Sequence, residues 1–170
     1  MTRSLASIAF AFVLIAMSRP AFAQGGRGFL DPDAYAEPTQ VLSANPIGFA
    51  VRYYNLEYEA RVHDALTAGI GGATLDSSIG LGEYANSDVF VRYYPGGRAF
   101  RGLSVGLKAG LTTVGSGGQL AGGVGFDVNA NHWINERVVV SAGVGMKRVF
   151  AGADAFTLPT IRIINIGIAF

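Results

Sequence analysis

The chain has 170 residues, half of them apolar, with 24 glycines, no cysteine and a formal net charge of +1 at pH 7. This balance offers no basic patch for nucleic acid, and the lack of cysteine excludes a disulfide framework. No apolar run beyond the N-terminal residues approaches the roughly 18 residues of a transmembrane helix. The class of protein must therefore be argued from the pattern along the chain.

The N-terminal residues have the three parts of a secretory signal peptide. Arg3 provides the positive charge, Leu5 to Met17 is apolar, and Ala21-Phe22-Ala23 fits an A-x-A cleavage site. A membrane-anchoring helix is the alternative, but about thirteen apolar residues are too few to span a bilayer comfortably. We predict that residues 1–23 are removed, which leaves 147 residues with 11 basic and 12 acidic side chains.

Residues 24–38 contain Gly, Pro and acidic residues without periodicity, and we predict a flexible leader there. From residue 39 to residue 170, apolar and polar residues alternate in segments separated by turn residues, which is typical of β-strands. An antiparallel barrel in the membrane needs an even number of strands, so we place an eighth, first strand at Gln40–Ala50 despite Pro46. The seven clearer strands cover residues 55–62, 66–71, 88–93, 103–112, 119–130, 138–147 and 160–170.

Alternation alone does not say which face is inside. A secreted soluble lipocalin-like barrel would turn the apolar face inward and hold an apolar ligand, whereas a membrane barrel turns it toward lipid. The polar face is rich in glycine, which packs nothing on a surface but makes room for large side chains in a narrow lumen. These glycines are Gly69, Gly71, Gly106, Gly110, Gly123, Gly125, Gly143, Gly145 and Gly167.

The same face also carries charges of both signs, as expected for charges buried together. We predict that they form a lumenal charge cluster. The pattern therefore favours an all-β fold, an eight-stranded antiparallel up-and-down transmembrane β-barrel. The predicted cluster consists of Glu57, Glu59, Arg61, Arg92, Lys108, Asp127 and Lys147.

Aromatic residues near the strand ends would form the two girdles that membrane barrels carry at the lipid–water boundaries. We predict one girdle at the inner boundary and one at the outer boundary. The inner set is Tyr93, Trp133 and Phe170, and the outer set is Tyr53 or Tyr54, Phe150 and Phe156.

Glu57 and Glu59 lie two residues apart on one strand face, as a general acid and base could. An ion network with the lumenal Arg and Lys residues is favoured, because it would fill the interior of an eight-stranded barrel, which is too narrow for a porin channel. His63 and His132 have no serine within two positions and no cysteine or clustered carboxylate beside them. We expect no catalytic residue, cofactor or metal site, with a lipid-modifying outer-membrane enzyme as an alternative.

The last strand, with Ile164, Ile166, Ile168 and Phe170, resembles the C-terminal targeting strand of bacterial outer-membrane barrels. Residues 45–48 (NPIG) and 56–59 (LEYE) are similar to segments of small single-barrel OmpA/OmpX-like families. The resemblance implies an eight-stranded fold in the outer membrane, contact with outer-membrane lipid and with the barrel insertion machinery, and no defined activity. We expect a structural, non-enzymatic monomer that binds no nucleic acid.

Overall fold

The computed structural model describes residues 38–75, 84–114, 119–151 and 154–170; the predicted signal peptide and all of the predicted leader except Pro38 lie outside them. These residues form a closed barrel of eight strands, each paired antiparallel with its neighbours in the chain, which confirms the predicted fold. In this part of the chain no helix is long and apolar enough to cross a membrane. The elements are β1 Gln40–Ala44, α1 Pro46–Ala50, β2 Tyr53–His63, β3 Leu66–Leu75, β4 Tyr84–Tyr93, β5 Gly102–Val114, β6 Gln119–Trp133, β7 Val138–Ala151 and β8 Asp154–Ala169.

The barrel is closed by pairing of β1 with β8. Val41 lies opposite Ala169, and the ladder continues to Ala44 opposite Ile166. Just beyond β8, Phe170 exchanges backbone hydrogen bonds of 3.0 and 3.1 Å with Gln40. We call this end the lower end of the barrel; it also carries the β2–β3, β4–β5 and β6–β7 connections.

Successive residues of each strand point to opposite faces, as β4 illustrates. Arg92 is 2% exposed and Phe90 is buried, whereas Val89 between Asp88 and Phe90 is 59% exposed. The predicted assignment of this strand's two faces is therefore confirmed. Large apolar side chains cover the outside of the barrel, whereas its inside holds charged, polar and small side chains together with Phe90 and Val149.

The predicted first strand is too long. β1 ends at Ala44, and the remainder of the predicted Gln40–Ala50 strand forms the short helix α1. Asn45 caps this helix, because its Oδ1 accepts a hydrogen bond of 2.8 Å from the N–H of Gly48. Pro46 occupies the first turn, where its missing N–H costs no helical hydrogen bond. An Asn-Pro pair starts a helix more readily than it continues a strand.

β8 contains one more residue than the facing part of β7. Ser141 pairs with Asn165, whereas Gly143 pairs with Arg162, so that two residues of β8 lie opposite one residue of β7. Such a β-bulge shifts the alternation of inward and outward side chains by one residue.

The bulge overturns one face assignment. Strict alternation predicted Ile163 on the inner face with Asn165, but Ile163 is 57% exposed and its neighbour Ile164 is 36% exposed. Arg162, which strict alternation puts on the lipid face, points inward, and its side chain is 12% exposed. The prediction for Ile163 was wrong because two consecutive residues of a bulge can point the same way.

An apolar cluster closes the lower end. The β4–β5 connection folds across the opening and buries Tyr94, Ala99 and Phe100 against Trp133. The indole Nε1 of Trp133 donates a hydrogen bond of 2.9 Å to the carbonyl of Phe100. We name this cluster the mouth plug. It consists of Val41, Tyr94, Ala99, Phe100, Trp133, Val139 and Ala169.

The aromatic girdles are only partly as predicted. Trp133 was placed at the lipid boundary but is 6% exposed, because it packs in the mouth plug. Phe156 lies opposite Val149 and shares its inner face, so it does not belong to the outer girdle. Four residues of the predicted girdles are exposed on the outside: Tyr54, Tyr93, Phe150 and Phe170.

Candidate functional site

Arg92 is the centre of the lumenal charges. Its Nη1 lies 2.5 Å from Glu59, its Nη2 lies 3.0 Å from Glu57, and its Nε lies 3.4 Å from Asp127. Its guanidinium also lies over the ring of Phe90, 3.9 Å from the centroid, which adds a cation–π contact. One cation from β4 therefore joins carboxylates from β2 and β6 across the lumen.

Arg162 is a second cation in this network, and the sequence pattern missed it. Its Nη2 donates a short hydrogen bond to Glu57, and its Nη1 lies 3.4 Å from the Ser141 hydroxyl. Glu57 thus accepts hydrogen bonds from two arginines, which compensates for its removal from water. The β8 bulge is what turns Arg162 into the lumen.

A separate ion pair lies nearer the other end. Lys147 is fully buried, and its Nζ lies 2.5 Å from Asp88. The other carboxylate oxygen of Asp88 accepts a hydrogen bond of 2.8 Å from the Asn86 amide. Asp88 was absent from the predicted cluster, although the alternation of β4 puts it on the same face as Arg92.

The remaining predicted members lie at the edges of this network. Lys108 is half-buried and donates a hydrogen bond of 2.9 Å to the hydroxyl of Thr160. Arg61 is half-buried beside the shift in β2–β3 register that falls between Arg61 and His63. The structure therefore brings Glu57, Glu59, Arg92 and Asp127 into direct contact, and it adds Asp88 and Arg162 to the predicted set.

Neutral donors connect the charges to the mouth plug. The Tyr94 hydroxyl donates a hydrogen bond of 2.8 Å to Glu59, and the buried Thr67 hydroxyl donates a shorter one to the same oxygen. Burial and the nearby Glu59 carboxylate raise the pKa of Tyr94 well above its usual range, which keeps the phenol a donor. Glu59 therefore accepts hydrogen bonds from Arg92 of the cluster on one side and from Tyr94 of the mouth plug on the other.

Glycines leave the space that these charged side chains occupy, as the sequence predicts. A Cβ on Gly106 would lie 2.6 Å from Oδ1 of Asp127 and 2.9 Å from Cγ of Arg92. A Cβ on Gly71 would lie 2.9 Å from Cγ of Glu57. Since real Cβ atoms do not approach this closely, a larger residue at either position would displace the cluster.

The arrangement neutralises its own charge. Glu57 and Glu59 both pair with Arg92, so neither carboxylate is set apart as a general acid or base. His63 and His132 are exposed at the lower end. Among the described residues, no three His, Asp or Glu side chains converge as a metal ion would require. What this geometry does chemically is fill the lumen with paired charges.

The predicted targeting strand lies at the closure of the barrel. Its four residues alternate toward the outside and are all exposed, while the intervening Asn165, Gly167 and Ala169 are buried. The end of β8 and the adjoining Phe170 therefore present a continuous apolar row outward, consisting of Ile164, Ile166, Ile168 and Phe170.

No protein-family model matches this chain, and no curated protein sequence matches it. Among solved structures, the N-terminal β-barrel domain of Pseudomonas aeruginosa OprF is similar at 12% identity and a TM-score of 0.49, over 79% of this chain and 98% of that one. The Yersinia pestis outer membrane protein Ail is similar at 12% identity and a TM-score of 0.43, over 79% of this chain and 100% of that one.

Proposed function

We propose that this chain is a structural, non-enzymatic outer-membrane barrel whose lumen is closed by charged side chains. The observation that carries the proposal is the inverted arrangement of the two faces. A soluble barrel that binds an apolar ligand needs an apolar lumen, but here Arg92 and Lys147 are buried inside while Leu107 is 72% exposed outside. Apolar residues around the whole outer surface favour lipid as the solvent of that face.

The interior supports a closed rather than a conducting barrel. The ion pairs of Arg92 cross the lumen from β4 to β2 and β6, and the mouth plug covers the lower end. An eight-stranded barrel has room for side chains but hardly for a channel in addition. The apolar row from Ile164 of β8 to Phe170 is the segment that we propose the insertion machinery recognises.

The location is tested by expressing the full chain, fractionating the membranes and comparing gel migration before and after boiling. We expect extraction only with detergent and a band that shifts on heating. Ile70→Arg puts a charge on the outward face of β3, whereas Thr74→Arg puts it on the same face next to the strand end. In lipid, Ile70→Arg should lower the free energy of unfolding by about 2–4 kcal/mol and Thr74→Arg by about 0–1 kcal/mol.

A barrel that stays in solution without detergent and tolerates both substitutions equally would refute the membrane location. The closed lumen has its own test, in planar lipid bilayers. The wild-type protein should leave the bilayer conductance at its background value. Steady conductance steps from the folded protein would refute the closed lumen while leaving the location intact.

A further inference from the structure

Arg148 interrupts the apolar outer surface. Among the outward strand positions that the structure describes, Arg148 is the only one occupied by a charged residue (Lys, Arg, Asp or Glu). It is exposed between Met146 and Phe150, and its Nη1 donates a hydrogen bond of 3.1 Å to the hydroxyl of Thr157 on β8. A guanidinium and a hydroxyl thus stand side by side on the face that we assign to lipid.

The position of Arg148 determines what it can bind. An outward Arg lowers the stability of a membrane barrel by about 2–4 kcal/mol at the centre of the membrane but only by about 0–1 kcal/mol near its boundary. Arg148 lies near the Ala151 end of β7, beside the exposed ring of Phe150. Its long side chain can therefore reach the phosphate groups of the lipid while its stem covers apolar surface.

An open apolar groove of about 790 Å³ adjoins this arginine on the outer surface of β3 to β6. Its lining combines small side chains, such as Ala68 and Ala109, with larger ones, such as Leu107 and Phe126. Val124 lines the groove and is also the cross-strand partner of Arg148. The cationic group therefore stands at the edge of the groove.

We propose that Arg148 and Thr157 bind the phosphate of a membrane lipid, one acyl chain of which lies in the adjoining groove. The proposal rests on the membrane location argued above. Charge complementarity selects this occupant: a phosphate accepts paired N–H bonds from a guanidinium, and the Thr157 hydroxyl supplies another donor. The groove beside it is lined mainly by apolar side chains, which suit an acyl chain.

The test compares two lipids that differ only in the phosphate, dioleoylphosphatidic acid and dioleoylglycerol. Each is titrated into the full-length barrel in detergent, and bound lipid is counted by native mass spectrometry. We expect phosphatidic acid to bind the wild-type protein at least about 10-fold more tightly, because charge-assisted hydrogen bonds are worth more than neutral ones. Arg148→Gln should abolish that preference, whereas Arg137→Gln, an exposed arginine in the β6–β7 turn, should keep it.

The groove is tested separately with Ala109→Phe, which adds a large side chain to its lining, against Ile163→Phe on the outside of β8. Only Ala109→Phe should weaken phosphatidic acid binding. Equal binding of the two lipids, or an unchanged preference in Arg148→Gln, would overturn the proposal. So would an Ala109→Phe variant that changes oligomeric state instead of lipid binding, since a second copy would then occupy the groove. The heat-shifted band of each variant shows whether the membrane barrel itself is present, so failure of the lipid site and failure of the location are distinct.

Discussion

The interior of this barrel is filled in two different ways. In the middle, Arg92 and Arg162 meet carboxylates from other strands, and glycines provide the space. At the lower end, the mouth plug packs Trp133 and Phe100 without a charged member. The middle depends on pairing of charges, whereas the plug depends on fit between apolar side chains. Removing a single residue should therefore have a different consequence in each region.

The largest effect is expected for Arg92→Met. It leaves Glu59 and Asp127 buried without their cation, while Glu57 keeps only Arg162, and breaking a buried ion pair from one side costs about 3–5 kcal/mol. The measurement is urea unfolding in detergent micelles, followed by the heat-shifted band. Arg137→Met, at an exposed turn position, is the control and should change the midpoint little.

Neutralising the partners as well should reverse much of that loss. Glu59→Gln and Asp127→Asn, combined with Arg92→Met, remove the uncompensated charges, while Glu57 stays paired with Arg162. Such a neutral set in place of a buried ion network is often tolerated. If the combined variant is as unstable as Arg92→Met alone, the middle is held by shape rather than by charge.

The next effect tests whether the middle depends on the β8 bulge. Deleting Ile161 leaves β8 with strict alternation and turns Arg162 toward lipid, at a cost of about 2–4 kcal/mol. Deleting Ile164 removes the same residue type but leaves Arg162 inside, with regular pairing to β7. The two urea midpoints should therefore differ widely, and equal midpoints would mean that the inward Arg162 contributes nothing.

Gly106→Val should have an intermediate effect. The added side chain would overlap Asp127 and Arg92, and overpacking costs about 1–3 kcal/mol. Gly122→Val is the matched control, because a Cβ there has no neighbour within 4 Å and the residue is exposed. Equal stability of the two variants would show that the cluster moves aside freely.

The smallest effect is expected where the two regions meet. Tyr94→Phe removes the hydroxyl that donates to Glu59 but keeps the ring in the plug. Because the Thr67 hydroxyl still donates to the same Glu59 oxygen, the free energy of unfolding should fall by only about 0.5–1.5 kcal/mol. Trp133 is the single tryptophan of the chain and lies in the plug, so its fluorescence reports this region directly. An unaltered emission maximum with a lower urea midpoint is the expected result; a red-shifted emission would mean that the plug needs the hydroxyl to close.

The sequence predicts the regular strands well, because alternation alone determines which face a residue occupies. Asp88, Phe90 and Arg92 face inward as the pattern of β4 indicates. Arg162 could not be placed in this way, since nothing in the run of isoleucines marks where the extra residue of the bulge lies. One extra residue reverses the inward or outward assignment of every strand residue on one side of it.

Two other errors have different causes. Asn45 and Pro46 are a favourable cap and first residue for helix α1, so the sequence does contain signals for this helix. The Gln40–Ala50 segment is nevertheless predicted as a strand, because a membrane barrel requires an even number of strands. The prediction of Trp133 at the lipid boundary was wrong because its position depends on a contact with a residue distant in the chain. Its partner is the carbonyl of Phe100, on a connection that folds back across the lower end. Local patterns cannot show such a contact.

The mouth plug also has a consequence for the order of folding. Its centre joins the β2–β3 turn, the β4–β5 connection and the end of β6, through bonds such as that from the Ala99 N–H to the Asp64 carbonyl. These parts are near in the chain, whereas the β1–β8 seam joins its distant ends and costs more loop entropy. Pulsed hydrogen exchange during refolding should therefore protect the Ala99 amide before that of Gln40. Tyr94, Ala99, Phe100 and Trp133 of the plug would then provide an apolar floor, which Val41 of β1 and Ala169 of β8 complete when the two end strands meet.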